Sequence, residues 1–343
     1  MKKIITAILF VFVIMLGICW YFFLRHGTIL NPLSQIIPKP LLAYTFEHLK
    51  KTDFPQTQIT FGEKVAETSD SFSQMFYFSV PKKPGSSDME KVSGLANFPS
   101  KPGIYPVIVM FRGFIPQESY KSGAGTEPSA EVFAKNGFIT LAPDFLGFGQ
   151  SASPSADSFE DRFQTYTTAL SLLASLPTIN TGLANAKSGY TVAMSKIGIW
   201  GHSNGGHIAL SALAISGVKY PTVLWAPVSA SFPYSILYYT DESDDQGKAL
   251  RKVLSQFEEL YDTDVFSPPN YYTWIQAPVE IHQGLADEEV PYWWTDTLVA
   301  TLKKQNLPVS YFTYPGADHN LLPDAWSQAV IRSVAFYQQQ FAH

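Results

Sequence analysis

Five residues, Gly201-His202-Ser203-Asn204-Gly205, stand between an apolar run with strand character (Lys196-Ile197-Gly198-Ile199-Trp200) and a helix-favouring run from Ile208 to Ala214. Nothing else in the chain limits the fold as sharply. A strand that turns into a helix within this length forces its apex residue into a strained backbone conformation. Glycines at 201 and 205 remove the side chains that would block the reversal. The turn therefore presents Ser203 Oγ at a strand end, the arrangement called a nucleophile elbow. The pattern alone arises by chance in roughly one chain in eight of this glycine and serine content, so its weight comes from the strand before it and the helix after it.

The rest of the chain supplies a matching rhythm. Apolar runs at 105–111, 138–143, 222–227, 278–282 and 309–314 read as short strands, the first two as buried central ones. Helical spacing at 128–136, 163–176, 293–304 and 324–340 falls between and after them. This alternation predicts an α/β fold with a mostly parallel central sheet and helices on both faces. Runs at 58–61 and 73–80 predict an antiparallel edge, and the polar, Gly/Pro-rich stretch 81–102 predicts a loop. Residues 229–270 interrupt the rhythm and read as a small inserted cap over an active site. Aromatic residues in and after it (Phe232, Tyr234, Tyr238, Tyr239, Tyr261, Tyr271, Tyr272) are candidates to line an apolar pocket, against the plainer alternative of core packing. The proline-bearing stretch 27–56 reads as a linker with at most one short helix around Leu41 to Lys51, which starts the globular domain at 57 and carries it to 343.

Composition excludes several function classes. A hydrophobic content of 46% over 343 residues can bury one large core. A net charge of −5 with scattered Lys and Arg gives no footprint for nucleic acid. Cys19 is the single cysteine, so neither an intrachain disulfide nor a Cys-based zinc site is possible. Histidines lack metal spacing, and the glycines of 144–149 fit neither a dinucleotide fingerprint nor a P-loop. No cofactor and no metal are expected. At the N-terminus, Ile4 to Leu24 carries no charge and is long enough to cross about 30 Å of hydrocarbon. Residues 1–26 are therefore expected to be an uncleaved signal anchor that tethers the chain to a membrane. Lys2, Lys3 and the amino terminus outweigh Arg25, which puts the domain outside the cytoplasm. A cleaved signal peptide with a secreted domain is the other reading.

A serine hydroxyl is a weak nucleophile at neutral pH. It needs a positioned base, and the base needs a carboxylate to fix its tautomer. In an open parallel sheet such groups gather on loops at the carboxyl ends of strands. Asp287 follows the 278–282 strand and His319 follows the 309–314 strand. The order Ser203, Asp287, His319 is that of a Ser-acid-His triad on this architecture. Glu288 and Glu289 could take the place of Asp287. His202, His207 and His282 read as packing or supporting groups, Asp318 as a turn residue, and Asp144 as a structural carboxylate at a strand end.

With these motifs in place, the chain resembles an α/β-hydrolase, and more narrowly the catalytic domain of the prolyl-oligopeptidase and dienelactone-hydrolase-like group. The resemblance spans roughly residues 100 to 340. It rests on GHSNGG, SPPNYYTWIQAPVEIHQGLADEEVP and YPGADHN, supported by PDFLGFGQS. It implies Ser203 as nucleophile, Asp287 as acid and His319 as base, with backbone N–H groups of Asn204 and of Phe114 (or Gly113) forming the oxyanion hole. Two departures stand out. Arg112-Gly113 replaces the family's usual His-Gly, and Gln283-Gly284 replaces the usual His-Gly before the acid, a change expected to alter packing but not the triad. Residues 27–100 are too few for a β-propeller. The implied activity is hydrolysis of a small ester or amide substrate. A peptidase and a catalytically inactive, membrane-tethered binding protein are the alternatives, the last opposed by the presence of all three triad residues.

Overall fold

A computed structural model describes residues 38–240 and 243–342. The expected membrane anchor therefore lies outside the described residues, and among these no helix is long and apolar enough to cross a membrane. The strands are β1 (Thr60–Glu67), β2 (Ser71–Pro81), β3 (Met89–Pro99), β4 (Ile104–Phe111), β5 (Ile139–Pro143), β6 (Thr191–His202), β7 (Thr222–Trp225), β8 (Val279–Gly284) and β9 (Val309–Tyr314). They form one sheet in the order β1-β2-β3-β5-β4-β6-β7-β8-β9. The pairs from β5 through β9 are parallel, while β1, β2 and β3 extend the sheet antiparallel at one edge. The central strands β4, β5 and β7 are buried almost throughout, which is why their sequences are continuous apolar runs rather than alternating ones.

The helices are α1 (Phe46–Lys51), α2 (Glu127–Lys135), α3 (Ser158–Ser175), α4 (Ile179–Asn185), α5 (Asn204–Ser216), α6 (Tyr234–Leu237), α7 (Lys248–Glu258), α8 (Tyr292–Lys304) and α9 (Trp326–Gln340). Two large apolar clusters flank the sheet. One gathers α3, α5 and the long insertion around Phe163, Leu210 and Phe266. The other gathers α2 and α9 around Phe133, Trp200 and Tyr337. The mostly parallel sheet with helices on both faces follows the sequence reading.

Two expectations need correction. The predicted loop at 81–102 contains β3, whose last eight residues are buried. Its Ser, Gly and Asn residues look like turn formers, but the strand is paired on both edges and its polar side chains are satisfied inside. Ser93 Oγ donates to Asp144 Oδ2, and Asn97 Nδ2 donates to Thr140 Oγ1 at 3.2 Å. The stretch read as a linker joins the fold at Leu41, where one contact unit, Leu41–His343, begins. Leu41, Tyr44, Phe46 and Leu49 are buried. Phe46 stacks on Tyr271 at 4.6 Å, and Leu41 N–H donates to Tyr261 Oη at 3.3 Å. The short helix expected around Leu41 to Lys51 is present as Phe46–Lys51, but its segment packs against the insertion instead of lying in a linker.

For the aromatic residues of 229–270, core packing is the alternative found for several. Phe232, Tyr261 and Tyr272 are core residues. Phe232, Phe257 and Phe266 pack on Phe159 and Phe163 of α3, with Phe163 stacked on Phe266 at 4.9 Å. Tyr234 and Tyr238 lie against Trp294 of α8. Edge and stacked ring pairs of this kind anchor the insertion.

Candidate active site

The elbow forms where β6 meets α5. Ser203 sits at φ 57° and ψ −123°, a region that costs a non-glycine residue on the order of 1–3 kcal/mol and is held only by its surroundings. Those surroundings are explicit. Ser203 N–H donates to Trp225 O at 2.9 Å, and Ser203 O accepts from Gly206 N–H at 3.0 Å and Val228 N–H at 3.1 Å. A Cβ on Gly205 would stand 1.9 Å from Phe111 O, and one on Gly201 would stand 2.6 Å from Gly205 O, so neither position admits a side chain. The Ser203 side chain does not cap its own helix. Asn204 opens that helix, where first-turn N–H groups have no intrahelical acceptor and the dipole favours negative charge.

The loops after β8 and β9 are zipped together. Leu285 N–H donates to Tyr314 O and Ala286 N–H to Ala317 O, both at 3.0 Å. Their joining puts His319 Nδ1 at 2.9 Å from Asp287 Oδ2. Asp287 accepts three further hydrogen bonds, from Glu289 N–H (3.0 Å), Val290 N–H (2.8 Å) and Gln283 Nε2 (2.9 Å). Thr295 Oγ1 donates to Gln283 Oε1 at 2.6 Å and fixes the amide's orientation. Gln283 thus touches the acid directly, which the sequence reading treated as a packing change only. Glu289, one of the alternative acids, reaches the other ring nitrogen, with Oε2 3.7 Å from His319 Nε2 and its side chain 65% exposed. The remaining neighbour of the ring is His202, with centroids 4.7 Å apart. A bond between His319 and Ser203 Oγ is not among the contacts formed.

His202 supports the base through the backbone, its Nε2 lying 3.0 Å from His319 O. Burial first, and the charge of a protonated His319 second, push the His202 ring down to about 4. It is therefore neutral at physiological pH and donates through Nε2. His207 and His282 are buried, as expected, and Asp318 accepts from Asn320 and Leu322 N–H within its own turn.

The loop after β4 carries the residues proposed for the second oxyanion donor. Gly113 backs directly onto Ser203, since a Cβ there would meet Ser203 Cβ at 3.0 Å. Arg112 is 7% exposed, and it donates from Nη1 to Gly113 O at 3.0 Å and from Nη2 to Asp144 O at 3.1 Å. Its guanidinium lies 4.2 Å from the ring centroid of Phe148 and 4.5 Å from that of Tyr120. Asp144, fully buried, accepts hydroxyl bonds from Ser93, Tyr120 (2.7 Å) and Ser122 (2.7 Å). Burial pulls the Arg112 pKa down from its ordinary value. The sequence reading missed this cluster, because its members come from β3, β4, β5 and the 117–122 loop and share no motif.

A cleft of about 220 Å³ opens beside Asn204, walled by Phe114, Phe145, Leu146 and Phe148 and by residues of α3. The PDFLGFGQS segment therefore forms a wall of the site, while 229–270 contributes no residue to this cleft.

Comparison with known proteins agrees with this architecture. The chain is 28% identical over 245 residues to the uncharacterized peptidase YtmA of Bacillus subtilis, covering 68% of this chain and 83% of that protein. Among solved structures, an acetyl xylan esterase from Paenibacillus sp. R4 superposes with a TM-score of 0.56 at 16% identity, over 88% of this chain and 95% of the esterase. A puromycin-hydrolyzing peptidase from Mycobacterium tuberculosis gives 0.50 at 16% identity, over 81% of this chain and 39% of that one. At such identities these two structures speak for the fold alone. Residues 127–343 match the prolyl oligopeptidase family, Peptidase_S9. The chain belongs to that family and is a serine hydrolase with an α/β-hydrolase-like fold.

Proposed function

We propose that the chain cleaves carboxylic ester or amide bonds through Ser203, His319 and Asp287. The observation that carries this reading is the Asp287–His319 hydrogen bond, on loops that end the two strands beyond the elbow. Ser203 Oγ attacks the carbonyl carbon as His319 Nε2 takes its proton. Asp287 keeps the proton-bearing Nδ1 turned inward and stabilises the imidazolium. The tetrahedral oxyanion is held by Asn204 N–H and Phe114 N–H. Arg112 supports the choice of Phe114 over Gly113: it holds Gly113 O, and in a planar trans peptide the N–H of Phe114 points the opposite way from that carbonyl. Collapse passes the proton to the leaving group and leaves an acyl-serine, which water then removes by the same steps. The Ser203–His319 bond closes as substrate arrives, since such bonds are often long in the empty enzyme.

Replacing Ser203 by Ala is expected to abolish labelling by a fluorophosphonate probe and to lower turnover by several orders of magnitude. Labelling of the alanine variant would sink the assignment. A narrower second reading, a peptidase, is favoured by the match to a peptidase family and by the relative named as a peptidase. Comparing p-nitrophenyl esters with aminoacyl and prolyl amides separates the two.

A further inference from the structure

The cleft beside Asn204 holds a charge that the chain does not compensate. Arg162 reaches it from α3, half-buried, and its Nε is buried without a hydrogen-bond partner. No carboxylate pairs with its guanidinium among the described residues, whereas buried Glu160, Glu280 and Asp287 each lie against a lysine or an imidazole. Leaving a cation half out of water and unpaired is costly, and a bound anion removes that cost. Arg112, which also lines the cleft, has a buried Nε with no partner as well. The one acid lining the cleft is Asp161, which forms no ion pair with either arginine among the described residues. The remaining walls mix apolar side chains (Phe114, Phe145, Leu146, Phe148) with uncharged polar ones (Gln164, Thr165).

The side of the scissile bond follows from which residues form these walls. Neither Ser203 nor His319, which delivers the proton to the leaving group, lines the cleft, whereas Asn204 and Phe114, the two proposed oxyanion donors to the acyl carbonyl, do. The cleft therefore receives the acyl part. Resting on the Ser203 reading above, we propose that Arg162 selects acyl groups that carry a carboxylate a few carbons from the scissile carbonyl. A half-ester of a short dicarboxylic acid and an acidic residue donating the scissile carbonyl of a peptide share this chemistry.

The test measures kcat/KM by acid release for monoethyl glutarate and ethyl pentanoate, and by colour for N-acetyl-glutamyl and N-acetyl-glutaminyl p-nitroanilide. In at least one pair the wild-type protein should prefer the acid. The preference should fall about 10- to 100-fold in Arg162→Gln and recover in part in Arg162→Lys, as for loss and partial return of a charge-assisted bond. The pair that responds identifies the source of the carboxylate. Equal preference in wild type and Arg162→Gln for both pairs overturns the proposal while leaving Ser203-dependent hydrolysis intact. Absence of Ser203-dependent hydrolysis of all four compounds would overturn the Ser203 reading and this proposal together.

Discussion

Asp144 and Asp287 are carboxylates at the ends of strands in one sheet, both buried and both rich in hydrogen bonds, yet their surroundings suit them to different work. Asp287 takes two backbone N–H groups and an amide, and gives its remaining contact to an imidazole that can carry a proton away. Asp144 takes three hydroxyls and lies under a guanidinium clamped by aromatic rings. None of its partners exchanges a proton near neutral pH, and burial together with Asp144 pushes the Tyr120 hydroxyl further above its ordinary range. What separates a chemical carboxylate from an architectural one is whether the partner can change charge.

The largest effect that would break this contrast is on turnover. Replacing Asp287 by Asn should lower kcat about a thousand- to ten-thousand-fold, because the amide favours the wrong tautomer of His319. Urea unfolding should show little change. A protein that keeps its activity, or one that loses its fold, would erase the distinction. Asp144→Ala should do the reverse, costing about 3 kcal/mol or more of stability by taking the acceptor from three hydroxyls and the nearby counter-charge from buried Arg112, whose own hydrogen bonds to backbone carbonyls remain, as read by the same unfolding measurement. If stability survived and only turnover fell, Asp144 would belong with the chemistry.

The smallest effect uses an imidazole that has no carboxylate. His207 donates from Nδ1 to Val228 O at 3.2 Å and accepts from Tyr166 Oη at 2.6 Å. Burial is the main cause that lowers its pKa from 6.5 to about 3. Below pH 6.5 the unfolded chain binds a proton that the folded chain refuses. Stability therefore falls as the pH drops toward 3, by at most about 1.4 kcal/mol per pH unit from this ring. His207→Gln should flatten the slope of unfolding free energy against pH by up to that amount. An unchanged slope would mean that the ring is not held neutral.

Much of this was legible in the sequence wherever local pattern and global position agree. The elbow announces itself by a change of hydrophobic period around two glycines, and Asp287 and His319 by their places just after apolar strands. β3 was not legible, since a strand paired on both edges can bury Ser93 and Asn97 that a propensity argument assigns to turns. The short helix within Leu41 to Lys51 was legible, but its packing into the domain was not, because Pro38 and Pro40 before it and Pro55 after it read as a linker. The Asp144 cluster and the charge of Arg162 were invisible for a different reason: each depends on what lies across a gap in space between segments distant in the chain.

The clash that a side chain at Gly205 would have with Phe111 O also bears on how this enzyme can vary. It sets the spacing between the two loops that flank the scissile carbonyl by direct backbone contact, with no flexible side chain to absorb a change. Such a joint has no adjustment in it. A new specificity would then arise by resurfacing the replaceable walls supplied by 145–148 and α3, while the joint itself stays as a fixed gauge against which every acyl group is measured.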